Sequence, residues 1–108
     1  MWKGIADAGV HLNSLGPGSI VDVQTKSRRY RIQYLEGDRI RISGHPLLCP
    51  APTLARLFGS RKGPEFGEGY IGCGMRLVFE REGDVHPVTT SEIIDIRVLD
   101  LDQAAEHA

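Results

Sequence analysis

From residue 19 onward, apolar and polar residues alternate with the period of a β-strand. In the segment 19–25, Val21 and Val23 fall on one face with Asp22 and Gln24 on the other, the pattern of a half-buried strand. Tyr30, Ile32 and Tyr34 alternate with Arg29, Arg31 and Gln33, and Ile40 and Ile42 alternate with Arg39 and Arg41, which predicts two further strands. Directly opposed residues of an antiparallel pair share a face, so Ile32 and Tyr34 must oppose Ile42 and Ile40, and each pair must sum to an even number. That parity predicts an odd loop, most simply Glu36 to Asp38 with Gly37 at its centre.

Residues 44–52 contain Pro46, Pro50 and Pro52 and therefore read as a loop, because proline cannot donate to a ladder. Segment 53–59 fits a helical face through Leu54, Leu57 and Phe58 or a short strand, and the strand is the preferred reading. Residues 60–69 read as a polar, glycine-rich connection. The longest alternation, 70–82, puts Ile71, Cys73, Met75, Leu77 and Phe79 on one face; Gly72 and Gly74 on the other predict a bend, as where a small sheet curls into a barrel. After a turn at 82–87, Ile94, Ile96 and Val98 alternate with Asp95 and Arg97 as the last strand. Ahead of all these, Ile5, Ala8, Leu12 and Leu15 recur at helical offsets, with Gly16 and Pro17 as the stop, so a short helix is expected over 1–15.

One helix followed by five or six short strands, with no βαβ alternation, predicts an all-β fold: a small five- to six-stranded curled sheet or barrel with a short N-terminal helix. A single domain over 1–108 is expected, with the helix at 1–15, the barrel at 19–98 and a frayed tail at 99–108. The succession GSIVDVQT, RYRIQY, RIRISGHP, FGS, YIGCGMRLVF and TTSEIIDIRV resembles, from residue 18 to residue 98, a family of uncharacterised small bacterial proteins with a small Sm-like or Src-homology-3-like barrel. A leading helix before five strands is similar to the Sm-like arrangement in particular. The chain lacks the glycine and asparagine signature of RNA-binding Sm proteins, so the resemblance does not imply RNA binding by that route, and the family resemblance implies no established activity.

Composition narrows the class further. At 108 residues, 41% hydrophobic and 25% charged, the chain is long enough for one core and too short for two domains, and it is not disordered, collagenous or a disulfide scaffold. No apolar run approaches the ~18 residues needed to span a bilayer, and MWKGIADAGV lacks the apolar core of a signal peptide; a soluble, cytoplasmic protein with no membrane partner is expected. Cys49 and Cys73 are then expected as reduced thiols.

A net charge of -1 conceals an uneven layout. Nine Lys and Arg face two acids from Lys26 to Lys62, giving +7, whereas three Arg face ten acids from Gly63 to Ala108, giving -7. Such a dipolar chain can be a solvated surface, an anion or nucleic-acid patch, or complementary faces of a self-assembling ring. The strand phases place Arg29, Arg31, Arg39 and Arg41 on one outward face, where guanidinium forks suit phosphate but confer no sequence specificity. Tyr30 and Tyr34 point inward, which removes the aromatics a single-strand binder would stack on bases, so a solvated or partner-facing sheet is preferred over nucleic-acid binding.

His45, Cys49, Cys73 and His86 are four potential zinc ligands, but they lack the tight paired spacing of a zinc knuckle. Cys73 lies on the apolar stripe and reads as a buried, inert thiol, while Cys49, in its loop, is expected to react first. The chain has no GxSxG elbow and no GxxxxGK[ST] loop, and Glu80, Glu82 and Asp84 near a hairpin tip read as solvated. The expectation is a non-catalytic small barrel without a cofactor, acting through protein contacts as a homo-oligomer. The alternatives are an anion or nucleic-acid binder using the arginine patch, and, third, a thiol- or metal-dependent enzyme.

Overall fold

The computed structural model describes the backbone of residues 3–5 and the whole of residues 9–99. Its strands are β1 (Lys3–Ile5), β2 (Gly9–His11), β3 (Ile20–Thr25), β4 (Arg29–Glu36), β5 (Arg39–Ser43), β6 (Thr53–Lys62), β7 (Glu65–Glu68), β8 (Tyr70–Gly72), β9 (Arg76–Arg81) and β10 (Val88–Leu99). Six of them close on themselves, all antiparallel, in the order β10, β3, β4, β5, β6, β9 and back to β10. Closure turns one face of every strand inward, so the alternating apolar residues meet at the axis. Val21, Val23, Ile32, Ile40, Ile42, Leu57, Leu77, Phe79, Ile93 and Ile96 are fully buried there. The long strands β6 and β10 each serve several neighbours, and register shifts at Leu57/Gly59, Thr89/Glu92 and Ile93/Asp95 let them bend around the barrel.

Ile40 opposes Tyr34 and Ile42 opposes Ile32, as the parity argument requires. The loop itself differs from the expected three residues. Glu36 pairs with Arg39 across a two-residue turn, Gly37 and Asp38, and a register shift between Tyr34 and Glu36 absorbs the odd residue. Gly37 supplies the left-handed backbone at φ 57.

No α-helix forms over the described part of 1–15. Residues 3–5 and 9–11 are strands, and only a 3-10 turn, Leu12–Ser14, follows them. Gly9 pairs with Gly72, so close to the neighbouring chain that a Cβ would lie 2.2 Å from the Ile71 carbonyl oxygen. A glycine inside so short an apolar stripe costs the helix its best turn, and strand pairing wins. Leu12 and Leu15 are nevertheless buried, because the 3-10 turn and the β2–β8 ribbon carry them onto the core with Val10 and Ile71. Ala8 and residues 100–108 lie outside the described residues.

Two further segments are corrected. Residues 60–69 are a hairpin, not a connection: β6 runs to Lys62, turns at Gly63 and returns as β7. The stripe 70–82 is two strands, broken at Cys73–Met75 by a turn at Gly74, so Ile71 belongs to the ribbon and Leu77 and Phe79 to the barrel. No helix among the described residues is long and apolar enough to cross a membrane.

Candidate functional site

The four arginines expected to share a face are all exposed on the outer wall of β4 and β5. Their surroundings differ. Arg31 opposes Asp22 on β3 and forks onto it, Nε to Oδ1 at 2.8 Å and Nη2 to Oδ2 at 2.9 Å, which uses the geometry a phosphate would need. Arg29 donates from Nε to Gln24 Oε1 at 3.1 Å. Arg41, opposite Gln33, borders a shallow groove of about 170 Å³ with Arg31 and Ser43, and Arg39 stands between Glu36 and Arg56.

Barrel order places this wall across from β9 and β10, which with their connecting turn carry Glu80, Glu82, Asp84, Glu92 and Asp95 against Arg76, Arg81 and Arg97. Ion pairing among the described residues stays mostly within each region: Arg31 with Asp22, Arg56 with Asp38, Arg81 with Asp84 and Arg97 with Asp95. Lys26 with Glu92, at 3.7 Å, joins the +7 segment to the -7 segment. The two charged segments are therefore partly interleaved: β6 of the first pairs with β7 and β9 of the second, with Lys62 opposite Glu65 and Arg56 opposite Glu80.

The candidate zinc set does not assemble. Among the described residues no three His, Cys, Asp or Glu side chains gather as a metal group. His45 and Cys49 close the 44–52 loop on itself: the Gly44 N–H donates to the Cys49 carbonyl at 2.9 Å, and the Cys49 N–H to the His45 carbonyl at 3.0 Å. His45 Nδ1 accepts the N–H groups of Leu47 and Leu48, both at 3.1 Å, and is therefore committed to its own loop. His86 is exposed on the β9–β10 turn.

The two thiols reverse the expected order of exposure. Cys49 is fully buried because the closed loop folds its side chain onto the core, whereas Cys73, in the turn that breaks the long stripe, is half-exposed. A thiol reagent added to the native protein should label Cys73 first, with Cys49 reacting only at the rate of loop opening. Mass spectrometry of partially labelled protein reads this order, and early labelling at Cys49 would contradict the closed loop.

His45 also makes that loop sensitive to pH. Burial disfavours its charged form first, and Arg28 and Arg81 add repulsion, so its pKa lies below the ordinary histidine value. As pH falls, the unfolded chain takes up this proton before the folded one does. The contribution is complete above about pH 6.5 and is lost as pH drops toward the folded-state value. His45→Asn keeps an acceptor for the two N–H groups but removes the titration. Between pH 7 and pH 5 the wild-type urea midpoint should fall further than that of the variant; parallel curves would contradict the assignment.

A cleft that the sequence did not reveal lies on β6. β9 occupies one side of this strand, so β5 and β7 share the other, β5 pairing at Thr53–Arg56 and β7 at Gly59–Lys62. The gap between them is framed by the Leu57 N–H donating to the Asp38 carbonyl at 2.8 Å and the Gly69 N–H donating to the Phe58 carbonyl at 2.9 Å. The resulting notch, about 760 Å³, has Leu12, Leu57 and Val78 at its base and Phe58 and Phe66 on its sides. Arg56 lies 5.5 Å over the Phe58 ring and Arg61 lies 6.0 Å over the Phe66 ring. Arg56 is fixed in that position by two hydrogen bonds to Asp38 Oδ2, at 3.0 and 2.8 Å. Asp38, Arg56, Arg61 and Glu68 also line it, so the notch combines an apolar base and aromatic sides with a charged rim of both signs. The sequence signal was the pair Phe58 and Phe66 flanking a basic turn, which acquires meaning only once residues 37–38 and 68–69 border one cleft.

Comparison with known protein families, curated proteins and solved structures finds no match to this chain.

Proposed function

We propose that this chain is a non-catalytic barrel that acts through protein contacts and associates head to tail with copies of itself. The observation that supports it is an uneven charge on opposite walls: β4 and β5 carry four arginines against Glu36, while across the barrel β9, β10 and their connecting turn carry five acids against three arginines. Unlike surfaces on opposite sides form a heterologous contact, which closes into a ring or extends as a filament. The closed barrel is the small-barrel form that the Sm-like and Src-homology-3-like resemblance implies, and outside it β1, β7 and the β2–β8 ribbon keep strand edges open to pairing.

Anion binding at the arginine band is the second reading, supported by Arg39 and Arg41, which have no carboxylate within ion-pair distance among the described residues. Sedimentation velocity at micromolar concentration, with and without an oligonucleotide, separates the two. Self-association predicts species heavier than the 11.9 kDa chain without nucleic acid. A monomer that becomes heavy only with the oligonucleotide, and loses it steeply with salt, would overturn this in favour of the second reading.

A further inference from the structure

The 44–52 loop stands outside the barrel ladder. β5 ends at Ser43 and β6 begins at Thr53, and the pairs that join them run from Arg39–Arg56 to Ile42–Thr53 without using any loop residue. The barrel keeps its pairing whether the loop is shut or open.

Closure turns on one histidine. Gly44 starts the loop at φ 127, so close to β4 that a Cβ would lie 2.2 Å from the Arg29 carbonyl oxygen. Cys49 ends the closed part, donating its N–H to the His45 carbonyl at 3.0 Å. Between them His45 Nδ1 accepts the N–H groups of Leu47 and Leu48, both at 3.1 Å. A ring nitrogen that accepts carries no proton, so the neutral ring holds its hydrogen on Nε2. Beneath the loop the Cys49 side chain is fully buried in the core, close enough to Tyr30 for its charge to act on that phenol.

We propose that this loop is an acid-operated latch: a proton taken up at His45 Nδ1 opens it and uncovers Cys49 while the barrel stays closed. The device does not depend on the self-association proposed above.

Protonation turns the acceptor of two N–H groups into a donor that faces them, so both lose their partner at once. The charges around the ring act in the same direction. Arg28, from the β3–β4 turn, and Arg81, from the end of β9, both repel a charged imidazole. Asp84, on the β9–β10 turn, is forked onto Arg81, Nε to Oδ2 at 2.6 Å and Nη2 to Oδ1 at 3.2 Å, and offsets that cation rather than pairing with His45. Tyr30, on β4, has its pKa raised by burial and stays neutral. Opening moves the ring into water and away from both arginines, so the open loop binds the proton more readily than the closed one. Acid therefore populates the open form, and neutral pH restores the closed one. Arg81 also releases the Leu48 carbonyl, to which its Nη1 donates at 2.9 Å.

Labelling of the full chain with a pyridyl disulfide, which exchanges with thiols even in acid, tests the latch. Peptide mass spectrometry reads Cys49 and Cys73 separately, and dividing the two rates cancels the reagent's own response to pH. When reclosing outpaces labelling, the Cys49 rate follows the open fraction. From pH 7.5 to pH 5 the Cys49-to-Cys73 ratio should rise between about fivefold and about thirtyfold, the upper figure being the limit for a ring that titrates near 6.5 when free. His45→Asn keeps an acceptor but cannot titrate, so its ratio should stay within about twofold. Arg28→Gln removes one repulsion and should show a smaller rise than wild type; it decides the matter should His45→Asn not fold. Far-UV circular dichroism should keep its neutral-pH strand signal at pH 5. A flat ratio in wild type, an equal rise in His45→Asn, an undiminished rise in Arg28→Gln, or loss of strand signal in step with Cys49 labelling would overturn the latch.

Discussion

Truncating Ile93 to alanine should lower folding stability by about 2–5 kcal/mol, whereas the same change at Ile94 should leave it within about 0.5 kcal/mol. The contrast comes from one register shift. On β10 Ile93 opposes Thr25 and Asp95 opposes Gln24, so Ile94 is the extra residue of a bulge and its side chain turns outward. Ile93 is 1% exposed and Ile94 54%. Strict alternation with Ile96 and Val98 would have buried Ile94. Urea unfolding of the two variants decides it: equal losses, or the larger loss at Ile94, would remove the bulge and with it the bend that lets β10 serve both β9 and β3.

Gly59→Ala should be nearly as damaging, at more than about 3 kcal/mol, and should release β7. Gly59 adopts φ 144, and a Cβ there would sit 1.9 Å from the Gly67 carbonyl oxygen. Backbone cannot yield as a flexible side chain can, so β6 and β7 must part or the bulge at Leu57/Gly59 must unwind. Gly63→Ala is the control: φ is 58 but nothing lies within 4 Å of the added methyl, so conformation alone should cost about 1–2 kcal/mol. Hydrogen exchange at 65–68 should rise sharply in the first variant and little in the second. Equal effects would mean that close approach to Gly67 is not what requires glycine at 59.

The same particulars show what the sequence could reveal. Strands β3, β4 and β5 are legible because each spans the wall with one face buried, so Val21, Val23, Ile32, Tyr34, Ile40 and Ile42 carry the period directly into the core. The outward arginines follow from the same phase. Strands β1, β2 and β8 have three residues each, too few to show any period, and spaced apolar residues nearby then imitate a helix. The 60–69 hairpin is polar on both faces because it lies along the outside of β6, so nothing in its pattern separates it from a loop. The notch exists only because β5 and β7 share one side of β6, a non-local fact. Cys49 and Cys73 exchanged roles for a similar reason: His45 folds a proline-rich loop back onto the core, and Gly74 breaks the stripe that would have buried Cys73.

Light scattering of the purified chain at micromolar concentration, in about 0.05 M and about 0.5 M salt, tests the central claim most directly. Charge on the opposed walls alone would hold copies together only at low salt, since exposed charges are screened within about 10 Å at 0.1 M. Apolar surface buried between copies is insensitive to that screening. The account predicts a mass that is a multiple of 11.9 kDa in both buffers, slightly reduced in the second. A mass of 11.9 kDa in both would contradict it.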